Sequence, residues 1–412
     1  MGLIVQKYGG TSVGSVDRIK AVADRVMRTR AAGERLVVVV SAMAGETNRL
    51  FGIAAQIADV PDPRETDVLV STGEQVSAAL VAMRLRALGC PAVSFLAHQM
   101  RLKTDSNHGR ARIKFVEPER ILKAIDDGTV AVVAGYQGVD DSGAITTLGR
   151  GASDLTAVAL AAALKAERCE IYTDVEGVFT ADPNLCPKAR KLDRISYDEM
   201  LELAGLGAKV LQGRSVELAR RYTVPLVVRS SFSDAEGTWV GQEDSTMEEV
   251  MVSGVTLDRN QSKITLSGVE DRPGLAARIF GPIAQAGIVV DMIIQNASAD
   301  GRTDVTFTLG RDDLRRTLEL VKRVADEIGA QGVRQEDPVA KVSIVGAGMR
   351  SHAGVAAKMF EVLAAERVNI EMIATSEIKI SVVVNSRYGE LAVRVLHDAF
   401  LGGSGTAPAE SV

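Results

Sequence analysis

An internal repeat in the C-terminal part of the chain constrains the fold more than any other feature of the sequence. The segment Asp271–Ile293 aligns without gaps with Ser351–Ile373, and seven positions are identical, including Gly274/Gly354. Each copy follows a strand-like run that ends at glycine, KITLSG before the first copy and KVSIVG before the second. Two copies of one pattern predict two copies of one structural unit.

Within each copy, apolar residues recur with the period of a helix, as at Leu275, Ile279 and Ile283. Strand and helix patterns continue after it, so each copy predicts a ferredoxin-like βαββαβ unit of about 70 to 80 residues. The later elements are expected at Asp304–Leu309 and Leu314–Ile328 in the first copy, and at Ile378–Val384 and Gly389–Phe400 in the second.

Before residue 230, short β-branched runs alternate with amphipathic segments, which indicates an α/β domain with a largely parallel sheet sandwiched by helices. Strands are predicted at Leu3–Val5, Leu36–Val40, Val130–Ala134, Glu170–Thr173 and Leu226–Arg229. Helices are predicted at Val16–Arg30, Gly73–Leu88, Pro118–Ile125, Asp154–Leu164 and Tyr197–Ala204.

A polar stretch, Ser230–Glu249, separates this α/β part from the repeats. We therefore predict a first domain at 1–249, repeat units at 250–337 and 338–403, and a disordered tail at 404–412.

Composition excludes several classes of protein. The net charge is −5, whereas a non-specific nucleic-acid binder would carry a basic excess. The three cysteines lack CxxC spacing and the four histidines form no HExxH motif, so neither a disulfide framework nor a zinc site is indicated. The N-terminus does not read as a signal peptide, and no apolar run is long enough to span a membrane, so we expect a cytoplasmic protein.

Standard nucleotide motifs fail, since the chain contains neither GxxxxGK[ST] nor a complete Rossmann fingerprint. Two strand ends are nevertheless suited to a polyanion. Lys7 precedes Gly9 and Gly10, whose backbones can approach phosphate oxygens closely. Ser41 closes the apolar strand ending at Val40, where ligands of open α/β sheets bind. An ordinary glycine turn and a helix cap are the plain alternatives.

Two further strings are suited to charged ligands, and the second has Gly149 and Gly151 at a helix N-terminus, which is an anion site. Glu74, in Ser-Thr-Gly-Glu at an expected helix start, can pair with an ammonium or simply favour its own helix N-terminus. Arg150, in Leu-Gly-Arg-Gly-Ala-Ser-Asp ahead of an apolar helix, can hold a carboxylate in a bidentate fork. In the same string, Asp154 can orient a lysine or bind metal-linked water, although a capped helix start is the alternative.

Taken in order along the chain, these strings resemble the monofunctional aspartate kinases, which have an amino-acid-kinase fold followed by two ACT domains. The resemblance rests on KYGGTS at 7–12, SAM at 41–43, STGE at 71–74, TLGRGASD at 147–154, TDVEGV at 173–178 and KVLQ at 209–212. It covers roughly residues 3–400.

The resemblance implies ATP- and Mg²⁺-dependent phosphorylation of the L-aspartate side chain to 4-phospho-L-aspartate, the first step toward lysine, threonine, methionine and diaminopimelate. The catalytic residues it implies are Lys7, Arg150 and Asp154; the aspartate-binding residues are Ser41, Thr47, Glu74, Arg150 and Ser153. The ATP-binding residues it implies are Lys7, Gly9, Gly10, Thr173, Asp174, Phe179, Asp182 and Lys209. An ionised carboxylate needs no general base, so such a site works by positioning and charge neutralisation.

The ACT resemblance implies feedback control by lysine, threonine or both, bound between paired units. On the first unit it implies contacts from Asp271, Arg272, Pro273, Gly274, Leu275, Ala276, Val289, Val290, Asp291 and Gln295. On the second it implies Val355, Ala356, Asn369, Ile370, Ser376 and Glu377. Paired units imply a homo-oligomer, or an α2β2 assembly with a shorter regulatory subunit started internally at Met247 or Met251.

Two positions depart from the family pattern: Ala152 stands where a third glycine is usual, and Asn184 stands where arginine is common. The alternatives left open are another kinase of the same fold, acting on glutamate or a nucleoside monophosphate, and a non-catalytic amino-acid sensor.

Overall fold

The computed structural model describes residues 2–205, 210–243, 251–296, 301–350, 352 and 354–402. These residues form two compact units. The first contains 2–179, 191–205 and 210–243, and the second contains 180–190 and 251–402. No helix in the described ranges is long and apolar enough to cross a membrane.

The first unit is built on a mostly parallel sheet. Its strands are β1 (Leu3–Tyr8), β2 (Arg35–Val40), β3 (Ala92–Phe95), β4 (Leu102–Thr104), β5 (Ile113–Val116), β6 (Val130–Ala134), β7 (Gln137–Val139), β8 (Ile145–Thr147), β9 (Arg168–Thr173), β10 (Arg194–Ser196), β11 (Leu226–Ser230) and β12 (Thr238–Gly241). Eight of them form one sheet in the order β10-β12-β11-β9-β1-β2-β6-β3, in which the pair β11/β12 alone is antiparallel within the described residues.

The helices of this unit are α1 (Val16–Ala31), α2 (Glu46–Ile57), α3 (Pro63–Ala87), α4 (Glu119–Asp126), α5 (Ser153–Ala163), α6 (Tyr197–Gly205) and α7 (Gly213–Tyr222). Strands β1 and β6 are buried along their whole length, as expected for strands covered on both faces. The predicted α/β class is confirmed. A second, four-stranded sheet in the order β5-β4-β7-β8 was not expected from the sequence.

The helix expected at Gly73–Leu88 begins earlier, which corrects the position of Glu74. Helix α3 starts at Pro63, where Asp62 caps it by accepting a hydrogen bond from the backbone N–H of Glu65. Aspartate followed by proline is the usual signature of such a start. Glu74 therefore lies in the middle of α3, and the alternative that it favours its own helix N-terminus is wrong.

The second unit contains the repeats, arranged around one antiparallel sheet. Its strands are β13 (Gly254–Glu270), β14 (Val290–Gln295), β15 (Arg302–Gly310), β16 (Gly332–Val345), β17 (Met372–Ser376) and β18 (Lys379–Asn385). Its helices are α8 (Leu275–Gln285), α9 (Leu314–Ile328), α10 (Val355–Ala365) and α11 (Gly389–Leu401). The strand order is β14-β15-β13-β16-β18-β17.

The two repeats share their central strands. Residues 261–267 of β13 pair with 332–339 of β16 and complete the first βαββαβ unit. Residues 254–258 of β13 pair with 341–345 of β16, so the start of β13 is the fourth strand of the second unit, although it precedes that unit in the sequence. Both predicted units are thus present, and the last strand of the second comes from before the first.

Ion pairs connect the repeats reciprocally. Lys263 is the first residue of the KITLSG run in the first repeat, and its Nζ lies 2.8 Å from Oε2 of Glu371 in the second repeat. Lys341, at the equivalent position of the second repeat, pairs with Asp291 of the first. Because Asp291 and Glu371 are themselves equivalent in the aligned repeats, the sheet has an internal two-fold arrangement.

The segment 180–190 leaves the first unit and packs with the second repeat. Thr180 Oγ1 lies 2.9 Å from Nε2 of the buried His397 on α11, and the Thr180 carbonyl accepts from the Val255 N–H at 2.8 Å. Lys188 Nζ lies 2.9 Å from Asp398 Oδ2. The stretch that contains Asp182 therefore belongs structurally to the second unit.

Candidate active site

A cavity of about 270 Å³ in the first unit brings together all four strings that the sequence singled out. It lies beyond the carboxyl ends of β1 and β2 and at the N-terminus of α5. Its lining residues are Gly10, Ser41, Ala42, Met43, Ala44, Gly45, Thr47, Asn48, Glu74, Tyr136, Arg150, Gly151 and Ser153. Five of these were expected to bind aspartate, and the fold places them at one site.

A buried ion pair lies on the sheet side of this site. Lys7 near the end of β1 and Asp154 in the first turn of α5 are 9% and 6% exposed, and Lys7 Nζ lies 2.7 Å from Asp154 Oδ1. A buried ion pair is seldom a net gain in folding free energy, because both charges lose their hydration. A role in a reaction at the carboxyl end of β1 therefore explains this pair better than a contribution to the free energy of folding does.

Close backbone contacts fix the walls of the cavity. A Cβ on Gly10 would lie 2.9 Å from the Ala42 carbonyl oxygen, and the Ala44 N–H donates to the Gly10 carbonyl at 3.1 Å. The loop after β1 therefore rests directly on the loop after β2, and a larger residue at Gly10 would separate them. This contact holds Lys7 and Ser41 on the same edge of the sheet.

Ala152, where the family usually has glycine, is accommodated. Its φ of −79° is ordinary for any residue, and its methyl group packs in the apolar cluster that includes Leu148 and Leu155. Gly149 and Gly151 have φ values of +96° and +74°, which favour glycine. Of Gly149, Gly151 and Ala152, only Ala152 has a φ that suits a residue with a side chain.

Glu74 is a buried carboxyl group that lacks a full set of partners. It is 3% exposed, and its Oε1 accepts from the Ala42 N–H at 3.0 Å. Its Oε2 is buried without a hydrogen-bond partner among the described residues. Burial raises the pKa of Glu74 to about 7, because the charged form loses its hydration. A ligand ammonium would supply the missing partner and favour the ionised form.

Arg150 lies exposed at the mouth of the same cavity. Its Nη2 donates to Asn48 Oδ1 at 3.2 Å, and its backbone carbonyl accepts from Gln212 Nε2 at 3.0 Å. A guanidinium has five N–H donors, so the Asn48 bond leaves donors for a carboxylate ligand. The cavity therefore carries an acidic group at one wall and a basic group at its mouth.

Two lining residues were missed by sequence reasoning. Tyr136, 5% exposed, follows β6 with a φ of +68°, a costly conformation for a tyrosine. Burial raises its pKa, and Glu74 and Asp67 raise it further by their charges. Asn48, in the first turn of α2, contacts Arg150. Neither residue belongs to a recognisable sequence motif. Tyr136 stands in Gly-Tyr-Gln-Gly and Asn48 is a single asparagine, so the sequence alone does not distinguish them from residues without a role.

The residues expected on the nucleotide side are described only in part. Thr173 ends β9 and Asp174 follows it; β9 is adjacent to β1, and the Gly9 N–H donates to the Tyr172 carbonyl at 3.1 Å. Phe179 is half-buried in the first unit. Asp182 belongs to the second unit, where its Oδ1 accepts from the N–H and Nδ2 of Asn184. Lys209 lies outside the described residues.

Comparisons with known proteins identify the family of both parts of the chain. The sequence profile of the amino acid kinase family matches residues 2–230, and ACT domain profiles match 264–326 and 342–400. The chain is 56% identical to the aspartokinase of Pseudomonas aeruginosa over 97% of its own length and 98% of that protein. It is 49% identical to the aspartokinase of Corynebacterium glutamicum over 99% of this chain and 98% of that one.

The chain belongs to the aspartokinase family. Its fold matches the crystal structure of Escherichia coli aspartokinase III in complex with aspartate and ADP, with a TM-score of 0.81 at 29% identity, over 96% of this chain and 99% of that one. The same enzyme in complex with lysine and aspartate matches with a TM-score of 0.76. As a member of this family the chain is a kinase with the amino-acid-kinase fold and ACT domains.

The regulatory residues implied by this family lie in the second unit. Gly274 and Gly354 have φ values of +90° and +94° and precede α8 and α10, so the two repeats start their helices alike. Gln295 Nε2 lies 3.5 Å from Asp271 Oδ1, which brings two of the expected effector contacts together. Glu377 pairs with Arg350 at 3.5 Å. The effector roles of these residues stay predictions.

Proposed function

We propose that this aspartokinase transfers the γ-phosphoryl group of ATP to the side-chain carboxylate of L-aspartate and is inhibited through its ACT units by lysine, threonine or both. The observation that carries the proposal is the cavity with Glu74 at one wall and Arg150 at its mouth. Aspartate has an ammonium for the first and an α-carboxylate for the second. Its other carboxylate is then left for the Lys7–Asp154 end of the site.

The chemistry needs no general base, because the attacking carboxylate is already ionised near neutral pH. Lys7 carries positive charge at the strand end, where charge develops on the transferring group, and the Gly10 N–H can contact a phosphate oxygen. The Gly9 N–H already donates to the Tyr172 carbonyl, so Gly9 is proposed only to let the backbone approach the phosphates closely. Thr47 and Ser153 line the cavity and can hydrogen-bond to aspartate. Thr173, Asp174, Phe179, Asp182 and Lys209 are proposed for the nucleotide.

Mg²⁺ is part of the proposal. The described residues contain no group of three or more His, Cys, Asp or Glu side chains that could hold a metal ion. In kinases Mg²⁺ is bound through one or two carboxylates together with substrate phosphates and water, so it does not require such a group. Asp154 is the carboxylate that would contact it, and the bound ion would neutralise phosphate charge.

A direct assay tests the proposed activity. Purified protein incubated with ATP, Mg²⁺ and L-aspartate should form an acyl phosphate, trapped by hydroxylamine as the hydroxamate. Glutamate or a nucleoside monophosphate as the better substrate would favour another kinase of this fold. ATP binding without turnover of any amino acid would favour a non-catalytic sensor.

The same assay tests the regulation, with initial rates measured with lysine, threonine and both together. Inhibition by both that exceeds the product of the separate effects would indicate a concerted switch, and additive weak effects would contradict one. The proposal includes a cytoplasmic location, boundaries near 249 and 337, and a homo-oligomer or an α2β2 assembly; Met247, one of the two internal starts considered, lies outside the described residues.

The raised pKa of Glu74 predicts a pH dependence. Ammonium binding needs the ionised form, so kcat/KM for aspartate should rise about tenfold per pH unit below pH 7 and level off above it. The variant Glu74→Gln should have a lower kcat/KM that is flat across this range. An unchanged rise in Glu74→Gln would assign the titration to another group.

A further inference from the structure

Asp67 is a fully buried carboxylate that the proposed mechanism does not use. It lies on α3, is 1% exposed, and accepts four groups from two other segments. Oδ1 accepts from Thr147 Oγ1 at 2.5 Å, and Oδ2 accepts from the Thr147 N–H at 3.1 Å. The Gly109 N–H donates at 3.1 Å, and His108 Nδ1 lies 2.8 Å from Oδ2. Burying a carboxylate is costly unless it is paired and hydrogen-bonded, as Asp67 is by these four donors.

Besides the His108-Gly109 segment, Asp67 holds the start of the loop that carries Arg150. Thr147 ends β8 and precedes Arg150 by three residues, a span of at most about 10 Å of extended chain. Asp67 binds both the N–H and the hydroxyl of Thr147, so a change at Asp67 would shift the base of this loop. Further along, the loop is held by Arg214, which donates to the Leu148 carbonyl at 2.6 Å.

The same helix also carries Glu74. Asp67 and Glu74 are seven residues apart on α3, two helical turns, and therefore lie on one face. Helix α3 thus carries Glu74, which lines the cavity, and also holds, through Asp67 and Thr147, the base of the loop that carries Arg150. The distance between Glu74 and Arg150 therefore depends on α3.

We propose that Asp67 is a positioning residue for aspartate recognition: acting through Thr147, it holds Arg150 at the distance from Glu74 that matches the α-carboxylate and ammonium of one amino acid. This rests on the proposed function, in which Arg150 and Glu74 bind those two groups. Asp67 itself does not line the cavity.

The test is Asp67→Asn, which keeps the shape but turns an amide N–H₂ toward groups that are themselves donors. We expect KM for aspartate to rise at least about tenfold, with kcat and KM for ATP within about twofold of wild type, since binding lost equally in ground and transition state raises KM alone. A merely structural role would lower kcat, through loss of folded enzyme, and leave KM unchanged; that result would overturn the proposal.

Asp140→Asn is the matched control. Asp140 is 4% exposed and also accepts four hydrogen bonds, from Ser142 N–H, Ser142 Oγ, Ala144 N–H and Ser106 Oγ, but in the turn between β7 and β8 and not at the cavity lining. We expect it to lower Tm without changing KM for aspartate. An equal rise of KM in Asp140→Asn would overturn the assignment.

A double-mutant cycle tests the route through Arg150. If Asp67 acts by placing Arg150, Asp67→Asn should change KM less than about twofold in an Arg150→Ala background, whereas independent effects would multiply. Should Asp67→Asn not fold, Thr147→Val removes one of the same bonds and should raise KM about threefold. Failure of the proposed function would appear in wild type as absence of acyl phosphate, while failure of this inference would appear only in the variants.

Discussion

Replacing Arg150 with alanine should lower kcat/KM for L-aspartate by about 100- to 1,000-fold, the usual effect of removing one partner of a hydrogen-bonded charge pair. The guanidinium lies at the mouth of the cavity and is proposed to bind the α-carboxylate. KM for ATP should stay near wild type. Steady-state rates at varied aspartate and ATP measure both constants.

The sharpest control for this prediction is a substrate without the α-carboxylate. β-Alanine keeps the amine and the reacting carboxylate, so wild-type enzyme should strongly prefer aspartate while Arg150→Ala should prefer neither. Normal turnover of aspartate by Arg150→Ala, or a retained preference, would remove Arg150 from the substrate site.

Replacing Lys7 with methionine should lower kcat by about 100- to 1,000-fold, because the charge next to the transferring phosphoryl group is lost while most of the length of the side chain is kept. KM for aspartate should change less, since Glu74 and Arg150 remain. Single-turnover measurements with trapped acyl phosphate isolate the phosphoryl-transfer step.

Loss of Lys7 also leaves Asp154 buried without its ion-pair partner, which costs about 3–5 kcal/mol of stability. The double variant Lys7→Met/Asp154→Asn removes that charge and should recover most of Tm while kcat stays low. Recovery of kcat together with Tm would show that the defect is one of folding, and would contradict a catalytic role for Lys7.

Much of the fold could be predicted because it rests on local patterns. The repeat pattern predicted both ends of α9 correctly, and the strand Val130–Ala134 was also predicted with its observed ends. The four-stranded sheet was missed because β4, β7 and β8 are three residues each, too short for a periodic pattern. The use of β13 and β16 by both repeats was also not predicted. It depends on pairing between segments that are distant in the chain, and the periodicity of apolar residues carries no information on such pairing.

The site residues also fall into those that local sequence motifs predict and those that they do not. Residues inside strings of glycine and charge, such as Lys7, Glu74 and Arg150, were found and line or border one cavity. Tyr136, Asn48 and Asp67 were not found, because each acquires its place through contacts with residues far away in the chain. Glu74 is predicted to bind an ammonium, but at a helix start, whereas the Asp62-Pro63 signal eleven residues before it begins the helix.

The sharing of β13 and β16 bears on how this regulatory region can evolve. Exchange of one repeat for that of another protein would cut both long strands and remove one end of each reciprocal ion pair, Lys263–Glu371 and Lys341–Asp291. The two repeats are therefore expected to be inherited together as one module. A substitution that alters ligand preference in one repeat is then expected to change the effects of later substitutions in the other.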